Sequence, residues 1–115
     1  DGSPQSIGGY FFCSHNQLTT LEGCPQTVGG DFNCANNQLI NFVGFPEDFE
    51  GIIYLRNNTV KEIYDLFGTV KCIRWINEFD VIQGDSVIMD RLEEVYYYLG
   101  MNIPKNIKLT NYEII

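Results

Sequence analysis

GCPQTVGGDFNCANNQLINF, residues 23–42, is the middle one of three copies of a single sequence pattern. Each copy begins with a glycine, and successive copies begin 21 residues apart, at Gly2, Gly23 and Gly44. Asparagines recur with the same spacing, at Asn16, Asn37 and Asn58. A period in the twenties that several columns of residues share is typical of repeat architectures.

Each copy is predicted to contain one short β-strand. In the middle copy the apolar residues Phe32 and Cys34 alternate with polar or small ones, which indicates a strand with one buried face. One copy cannot bury its own apolar column, so the copies are expected to stack as parallel strands about 4.8 Å apart. Asn37 and its equivalents are expected to satisfy backbone groups where the chain leaves each strand. The glycine pair before the strand permits a turn that side chains would block.

The pattern Phe-x-Cys-x-x-Asn-x-Leu-x-x-Phe at residues 32–42 resembles the leucine-rich repeat, with Phe or Cys at some of the leucine positions. The preceding Cys-Pro-x-x-Val-Gly-Gly is similar to the short repeats of bacterial and tailed-phage proteins. The resemblance covers residues 2–63 and weakens in the third copy, where Glu50 stands at the position of Gly29. It implies an α/β solenoid, in which short parallel β-strands stack in leucine-rich-repeat coils with a C-terminal helical cap.

The chain is expected to form one continuous domain. Leucine-rich-repeat coils are predicted over residues 1–63, and a degenerate last strand, a capping helix and a tail over residues 64–115. Thr59 and Glu62 have the spacing of a capping box, which predicts a short helix over residues 60–67. Because the sequence starts at the beginning of a repeat, earlier repeats are expected to precede it.

Three further elements are predicted in the second half. Residues 70–79, VKCIRWINEF, alternate well enough for a last strand, with Arg74 on its outer face beside Tyr54. Residues 87–99 carry one apolar stripe and predict the main helix, which Gly100 ends. Residues 101–115 are expected to form an extended tail that packs back on the body or pairs as an edge strand.

The net charge of −8 is unevenly distributed along the chain. No Lys or Arg precedes Arg56, and this part carries six acidic residues, whereas nine acids and seven bases follow. A negative surface repels phosphate backbones, so the expected partner is a protein that is basic or has an apolar patch, and not nucleic acid. The alternative is that the acids serve solubility alone. No apolar run approaches the length of a membrane span, and a cytoplasmic location is expected, in a bacterium or in the host of a phage.

The cysteines and the histidine predict no metal or cofactor site. Cys13 and Cys34 fall in one apolar column, which favours thiols that fill the core over a disulfide, although distance alone would permit the bond. No Cys-x-x-Cys pair occurs, and His15 is the only histidine. The motifs of serine hydrolases, phosphate-binding loops and zinc proteases are missing, so the protein is not expected to be an enzyme.

The outward residues of the strands are the candidate binding site, because in leucine-rich repeats such residues line a binding face. The candidates are Tyr10, Phe12, Ser14, Asp31, Asn33, Ile52, Tyr54, Arg56 and Arg74, with His15, Asn36 and Asn57 at the rim. Aromatic residues and arginine are frequent anchors of interfaces. The alternative is that these aromatics pack across the strands or are covered by other parts of the chain.

The sequence therefore predicts a protein–protein interaction module that acts as an adaptor or inhibitor. A phage-encoded factor that acts on a host protein is one form that such a module takes. The alternatives are an acidic mimic of nucleic acid that occupies a basic groove, and a purely structural or oligomerisation domain. The strand at residues 10–14 has an open edge, which favours either a preceding segment or a homodimer at that edge.

Overall fold

The computed structural model describes residues 6–7, 10–14, 16–22, 27–46, 48–49 and 51–115. The chain forms two compact units, Asp1–Lys61 and Glu62–Ile115. Gly2 and Gly23, which begin the first two copies, and the rim residue His15 lie outside the described residues.

The described strands of the first unit are two residues long and pair at the spacing of the sequence repeat. They are β1 Ser6–Ile7, β2 Phe11–Phe12, β3 Thr27–Val28, β4 Phe32–Asn33, β5 Asp48–Phe49 and β6 Ile53–Tyr54. Two parallel sheets result, with the orders β1-β3-β5 and β2-β4-β6. Phe11 is the register partner of Phe32, which in turn is the partner of Ile53.

The predicted α/β solenoid of leucine-rich-repeat coils with a helical cap is wrong as the fold class. The described residues form a small α/β fold with three helices and short strands in three-stranded sheets, and no extended repeat coil is evident. Pairing at the 21-residue spacing ends at β6, after two steps. From that point the chain buries its apolar residues with helices and a mixed sheet, which belong to a compact unit of their own.

The core of the first unit is built from the apolar columns and from Phe45. Phe32, Cys34, Leu39 and Phe42 are fully buried. The Phe45 ring stacks on Phe32 with centroids 5.9 Å apart and meets Phe42 edge to face at 5.0 Å. Phe45 belongs to none of the predicted columns, and its ring contacts supply packing that the strand pattern did not predict.

The predicted role of the asparagine column is confirmed. The Asn37 side chain donates from Nδ2 to the carbonyl oxygens of Cys13 and Cys34, each at 3.0 Å, and its Oδ1 accepts the N–H of Leu18 at 3.2 Å. Asn58 repeats the arrangement one copy later, with bonds to the carbonyls of Cys34 and Leu55 and to the N–H of Leu39. Each amide therefore ties the backbone of its own copy to that of the preceding copy.

Gly44 and Gly51 lie where the backbone of an earlier copy comes close. A Cβ atom at Gly51 would lie 2.4 Å from the carbonyl oxygen of Gly30, and one at Gly44 would lie 2.1 Å from the carbonyl oxygen of Leu21. Gly44 also has a φ of 87°, which disfavours other residues. At Gly51 the repeated glycine is therefore required by contact between copies.

Replacing Gly51 by alanine tests this contact. The methyl group would force the strands apart, so Gly51→Ala is expected to lower the free energy of unfolding by about 2 kcal/mol or more, measured by urea denaturation. Gly100→Ala is the control, since Gly100 has a φ of 69° but a methyl group there would meet nothing within 4 Å, and only the backbone cost of about 1 kcal/mol is expected. A Gly51→Ala protein no less stable than Gly100→Ala would contradict the account.

The second unit contains most of the helical structure. Its elements are α1 Lys61–Phe67, which begins at the last residue of the first unit, α2 Lys71–Glu78, β7 Ile82–Gln83, β8 Ser86–Val87, α3 Met89–Tyr98 and β9 Glu113–Ile114. Strands β7 and β8 form an antiparallel hairpin, and β9 pairs with β8 in parallel. The prediction that the tail pairs as an edge strand is confirmed. No helix in the described part of the chain has the length and apolar character needed to cross a bilayer.

The strand predicted over residues 70–79 is wrong, because α2 occupies this segment. Its buried residues are Cys72, Ile73 and Ile76, which is the spacing of one helix face. The hydroxyl of Thr69 accepts the N–H of Lys71 at 3.3 Å and so stabilises the start of the helix. A short apolar run fits both the two-residue period of a strand and the 3.6-residue period of a helix. This segment adopts the helix.

The capping box predicted at Thr59 and Glu62 is also wrong in its contacts. The Glu62 carboxylate instead accepts the backbone N–H groups of Thr110 at 2.7 Å and Asn111 at 2.6 Å. Glu62 thereby holds the tail just before β9. The main helix begins at Met89, two residues later than predicted, because Val87 belongs to β8.

The core of the second unit surrounds Cys72 and Tyr96, which are both fully buried. The Tyr96 ring contacts that of Phe67 with centroids 4.4 Å apart. Its hydroxyl has no hydrogen-bond partner among the described residues. Burial raises the pKa of the Cys72 thiol from 9.0 to about 12, which marks this core as a place where charge is strongly disfavoured.

The Cys72 pKa predicts a loss of stability in alkali. Above about pH 9 the thiol ionises in the unfolded chain but stays protonated in the fold, so stability present below pH 9 is lost as the pH rises towards 12. One such group contributes a slope of up to about 1.4 kcal/mol per pH unit. Cys72→Ala is expected to flatten the decline seen in urea titrations between pH 9 and 11. Tyr64, Tyr96 and Tyr112, whose pKa values burial also raises, remain in both proteins.

The two proteins are compared by how steeply their free energy of unfolding falls with pH, because Cys72→Ala also removes core volume and lowers stability at every pH. Cys13→Ala is the control. Hydrogen bonding with the Cys34 side chain lowers the pKa of Cys13, so the loss of this thiol should not flatten the decline. Equal slopes for the natural protein and Cys72→Ala would contradict this account.

Candidate protein-binding surface

The strand alternation of the first unit leaves four large apolar side chains in solvent. Phe32 and Cys34 point into the core, and so do Ile53 and Leu55. Four large apolar side chains in or next to β2 and β6 are exposed instead. They are Tyr10 at 62%, Phe12 at 64%, Ile52 at 59% and Tyr54 at 42% exposure. These four residues are called the strand surface below. Their exposure results from the period of two along a strand, which places every second residue on the outer face.

Backbone register brings members of the strand surface together. Phe12 is the register partner of Asn33, and Asn33 is the partner of Tyr54, so the three residues cross adjacent strands side by side. The Tyr10 and Phe12 rings lie 5.9 Å apart and are tilted by 49°. The aromatic side chains of the first and third copies thus flank a small polar residue of the second copy.

The polar candidates Asp31 and Asn33 hold the backbone in place. Asp31 accepts the N–H of Ile52 through Oδ1 at 2.9 Å, and Asn33 accepts the N–H of Ala35 at 3.1 Å. Both side chains are half-buried, as is Ser14. These residues therefore support the strand surface and project less into solvent than the aromatic side chains do.

The two arginine candidates lie in different units. Arg56 is exposed and lies two residues after the end of β6 in the first unit. Arg74 was expected on a strand beside Tyr54, but it lies on α2 in the second unit, with its guanidinium 5.3 Å from the centre of the Trp75 ring. The expected placement of Arg74 is wrong because residues 70–79 do not form a strand.

Two rim residues have unusual backbone geometry. Asn36 and Asn57 have φ values of 60° and 61°, and the Nδ2 of Asn57 donates to the Oδ1 of Asn36. Asparagine tolerates this left-handed conformation better than most residues. The rim at this end of the strands is thus an ordered part of the surface.

The cysteines near the strand surface belong to its support. Cys34 is fully buried and Cys13 is half-buried. Hydrogen bonding with the Cys34 side chain lowers the pKa of the Cys13 thiol and outweighs the opposite effect of burial. Both side chains are thiols in the structure, and the Sγ of Cys34 donates to the carbonyl oxygen of Tyr54 at 3.5 Å. Among the described residues, no group of three or more His, Cys, Asp or Glu side chains is arranged to hold a metal ion.

A second group of aromatic residues, on α2 and α3, was not recognised as a surface from the sequence. It consists of Trp75, Phe79, Tyr97 and Tyr98, called the aromatic cluster below. Trp75 contacts Phe79 at 5.6 Å and Tyr98 at 4.9 Å between ring centres. Helical spacing of Trp75 and Phe79 was the available signal, and the strand prediction for this segment obscured it.

The chain matches no protein-family model, no curated protein and no solved structure. The resemblance of its repeats to leucine-rich repeats therefore stays a prediction.

Proposed function

We propose that this protein is a protein–protein interaction module, an adaptor or inhibitor without catalytic activity, that binds its partner through the strand surface. The exposure of Tyr10 and Phe12 at β2 and of Ile52 and Tyr54 at β6, on either side of β4 in one sheet, is the observation that carries the proposal. Isolated exposed apolar residues are common, but a contiguous exposed group marks an interaction site.

The composition of the strand surface supports a protein partner. Aromatic side chains bury large areas at low cost in conformational entropy, and tyrosine is frequent among residues that dominate binding energy. Phe12 and Tyr54 flank Asn33, so an apolar group of the partner could pack between the rings and above the amide. Arg56, two residues after the end of β6, adds a charged anchor beside the aromatic residues.

The charge around the strand surface supports a partner with basic residues at its rim. The chain has six acids and no Lys or Arg before Arg56. Of the acids before Arg56 whose burial the structure describes, Glu22 is exposed and Asp31 is half-buried. Opposite charges at the edge of an interface accelerate association and help to fix its orientation.

The alternative of an acidic nucleic-acid mimic has less support. A mimic requires carboxylates that are free to occupy the positions of phosphates. The carboxylate of Asp31 is half-buried and accepts the N–H of Ile52 through Oδ1. Its position therefore fits a structural role better than a phosphate-like one.

The double variant Phe12→Ala/Tyr54→Ala tests the proposal. Affinity capture from bacterial lysate with the natural protein as bait is expected to enrich specific partners. The double variant should capture about tenfold less of these partners, or even less, because truncation of two interface aromatics typically costs several kcal/mol of binding free energy. Quantitative mass spectrometry of the captured proteins provides the measurement.

Ile40→Ala/Val43→Ala is the matched control. These two residues are also exposed apolar residues of the first unit, at 38% and 42%, but they are not on the strand surface. The control should capture the same partners as the natural protein, with circular dichroism showing that both variants are folded. Equal recovery by the strand-surface variant and the control would remove the strand surface as the binding site.

A further inference from the structure

The rings of the aromatic cluster, in the second unit, contact each other and are also partly exposed to solvent. The Tyr98 ring lies 4.9 Å from Trp75 and 5.2 Å from Phe79. The Tyr97 ring meets Tyr98 at 5.6 Å and at an angle of 75°. Tyr97 is 76% and Tyr98 is 52% exposed, while Trp75 and Phe79 are half-buried. Two half-buried rings thus support two exposed rings that meet at a corner.

A cation already lies on this cluster. The guanidinium of Arg74 is 5.3 Å from the centre of the Trp75 ring, within the range of cation–π attraction. The face of an aromatic ring is electron-rich, so it attracts a positive group that approaches from above. Trp75 is the best ring for this interaction, and Tyr97 and Tyr98 present further ring area of the same kind.

The helices around the cluster add negative potential. Neither α2 nor α3 has a basic residue in its last turn, where the helix dipole places partial negative charge. Glu78 is exposed in the last turn of α2, and Glu94 is exposed one turn before Tyr98. Two arginines lie nearby as well: Arg74 contacts the Trp75 ring, and Arg91 donates from Nη1 to the carbonyl oxygen of Asp80, just beyond the end of α2.

We propose that the aromatic cluster binds an ammonium group, carried in the cell by a lysine side chain of a partner protein. The ring faces, the C-terminal end of α3 and the carboxylates of Glu78 and Glu94 provide the complementary charge. The corner between Tyr97 and Tyr98 provides two rings that an ammonium group can contact. Arg74 occupies part of the same surface and competes with the incoming group. This site lies in the second unit and does not depend on the function proposed for the strand surface.

Choline and 3,3-dimethylbutan-1-ol are suitable probes, because they have nearly the same shape and only choline is charged. Trp75 is the only tryptophan of the chain, so its fluorescence reports on the cluster alone. Titrations at constant ionic strength are expected to show choline binding at least about threefold more tightly than the alcohol, the factor that a weak cation–π contact supplies. Acetyl-lysine-amide, which carries the ammonium of lysine, should reproduce the selectivity.

Variants of the cluster separate recognition of charge from general apolar contact. Tyr97→Leu/Tyr98→Leu is expected to weaken choline binding roughly fivefold, whereas Tyr97→Phe/Tyr98→Phe, which keeps both rings, retains it. Ile103→Ala is the control, since Ile103 is an exposed apolar residue outside both the cluster and the strand surface. Arg74→Gln removes the competing cation and should strengthen binding about twofold.

Circular dichroism checks that each variant is folded, and the Phe variants keep the test informative if the Leu variants are not. Equal responses to choline and the alcohol would overturn the proposal. So would a folded Leu variant that binds choline as tightly as the natural protein, or an Arg74→Gln variant that binds it more weakly.

Discussion

The hydrogen bonds of the buried Asn37 amide are the constraint on which the first unit depends. Asn37 is 7% exposed and is the one buried polar side chain in the described part of the chain. Its amide satisfies carbonyls of two copies and the N–H of Leu18, so the backbone can leave the strands without unpaired groups in the core. A shift of the copies by one residue would break these bonds and turn the apolar columns outwards.

The strand surface is a direct consequence of this register. Since Ile53 and Leu55 must face the core, the intervening Tyr54 has to face solvent. Phe12 lies in register with Tyr54 two strands away, with Asn33 between them. The close contact of Gly51 with the Gly30 backbone fixes the same register from the other end of the strands. The apolar exposure that suggests a binding function is thus specified by the residues that determine packing.

The second unit is stabilised by helix packing and not by repeated strands, and its exposed aromatic residues lie on helices. Its core forms around α2 and α3, and the Glu62 carboxylate holds the tail through two backbone N–H groups. Aromatic residues at the edge of this core remain partly exposed and carry the Arg74 guanidinium. A ring half-buried among other rings is held in one orientation, which favours recognition that depends on geometry.

The sequence repeat was sufficient to predict which strand residues of the three copies pair and what the asparagines do. Of the side chains predicted to face outwards, Tyr10, Phe12, Ile52 and Tyr54 are exposed, whereas Ser14, Asp31 and Asn33 are half-buried. It did not predict the fold class, because periodicity describes neighbouring copies and not the point at which the repetition ends. Residues 70–79 have apolar residues that fit both a strand and a helix, and the choice depends on packing partners far along the chain. Glu62 has a capping-box position, yet its carboxylate binds Thr110 and Asn111, a contact over 48 residues that no local pattern encodes.

The stability of Asn37→Asp relative to Asn16→Asp is the most direct test of the account. An aspartate at position 37 can still accept the N–H of Leu18 but cannot donate to the two carbonyls. Asn16 is exposed and donates only to carbonyls of its own copy, those of Cys13 and Ser14. Urea unfolding at neutral pH should show Asn37→Asp less stable than Asn16→Asp by at least about 2 kcal/mol. Equal stability of the two variants would contradict the claim that this buried amide holds the copies together.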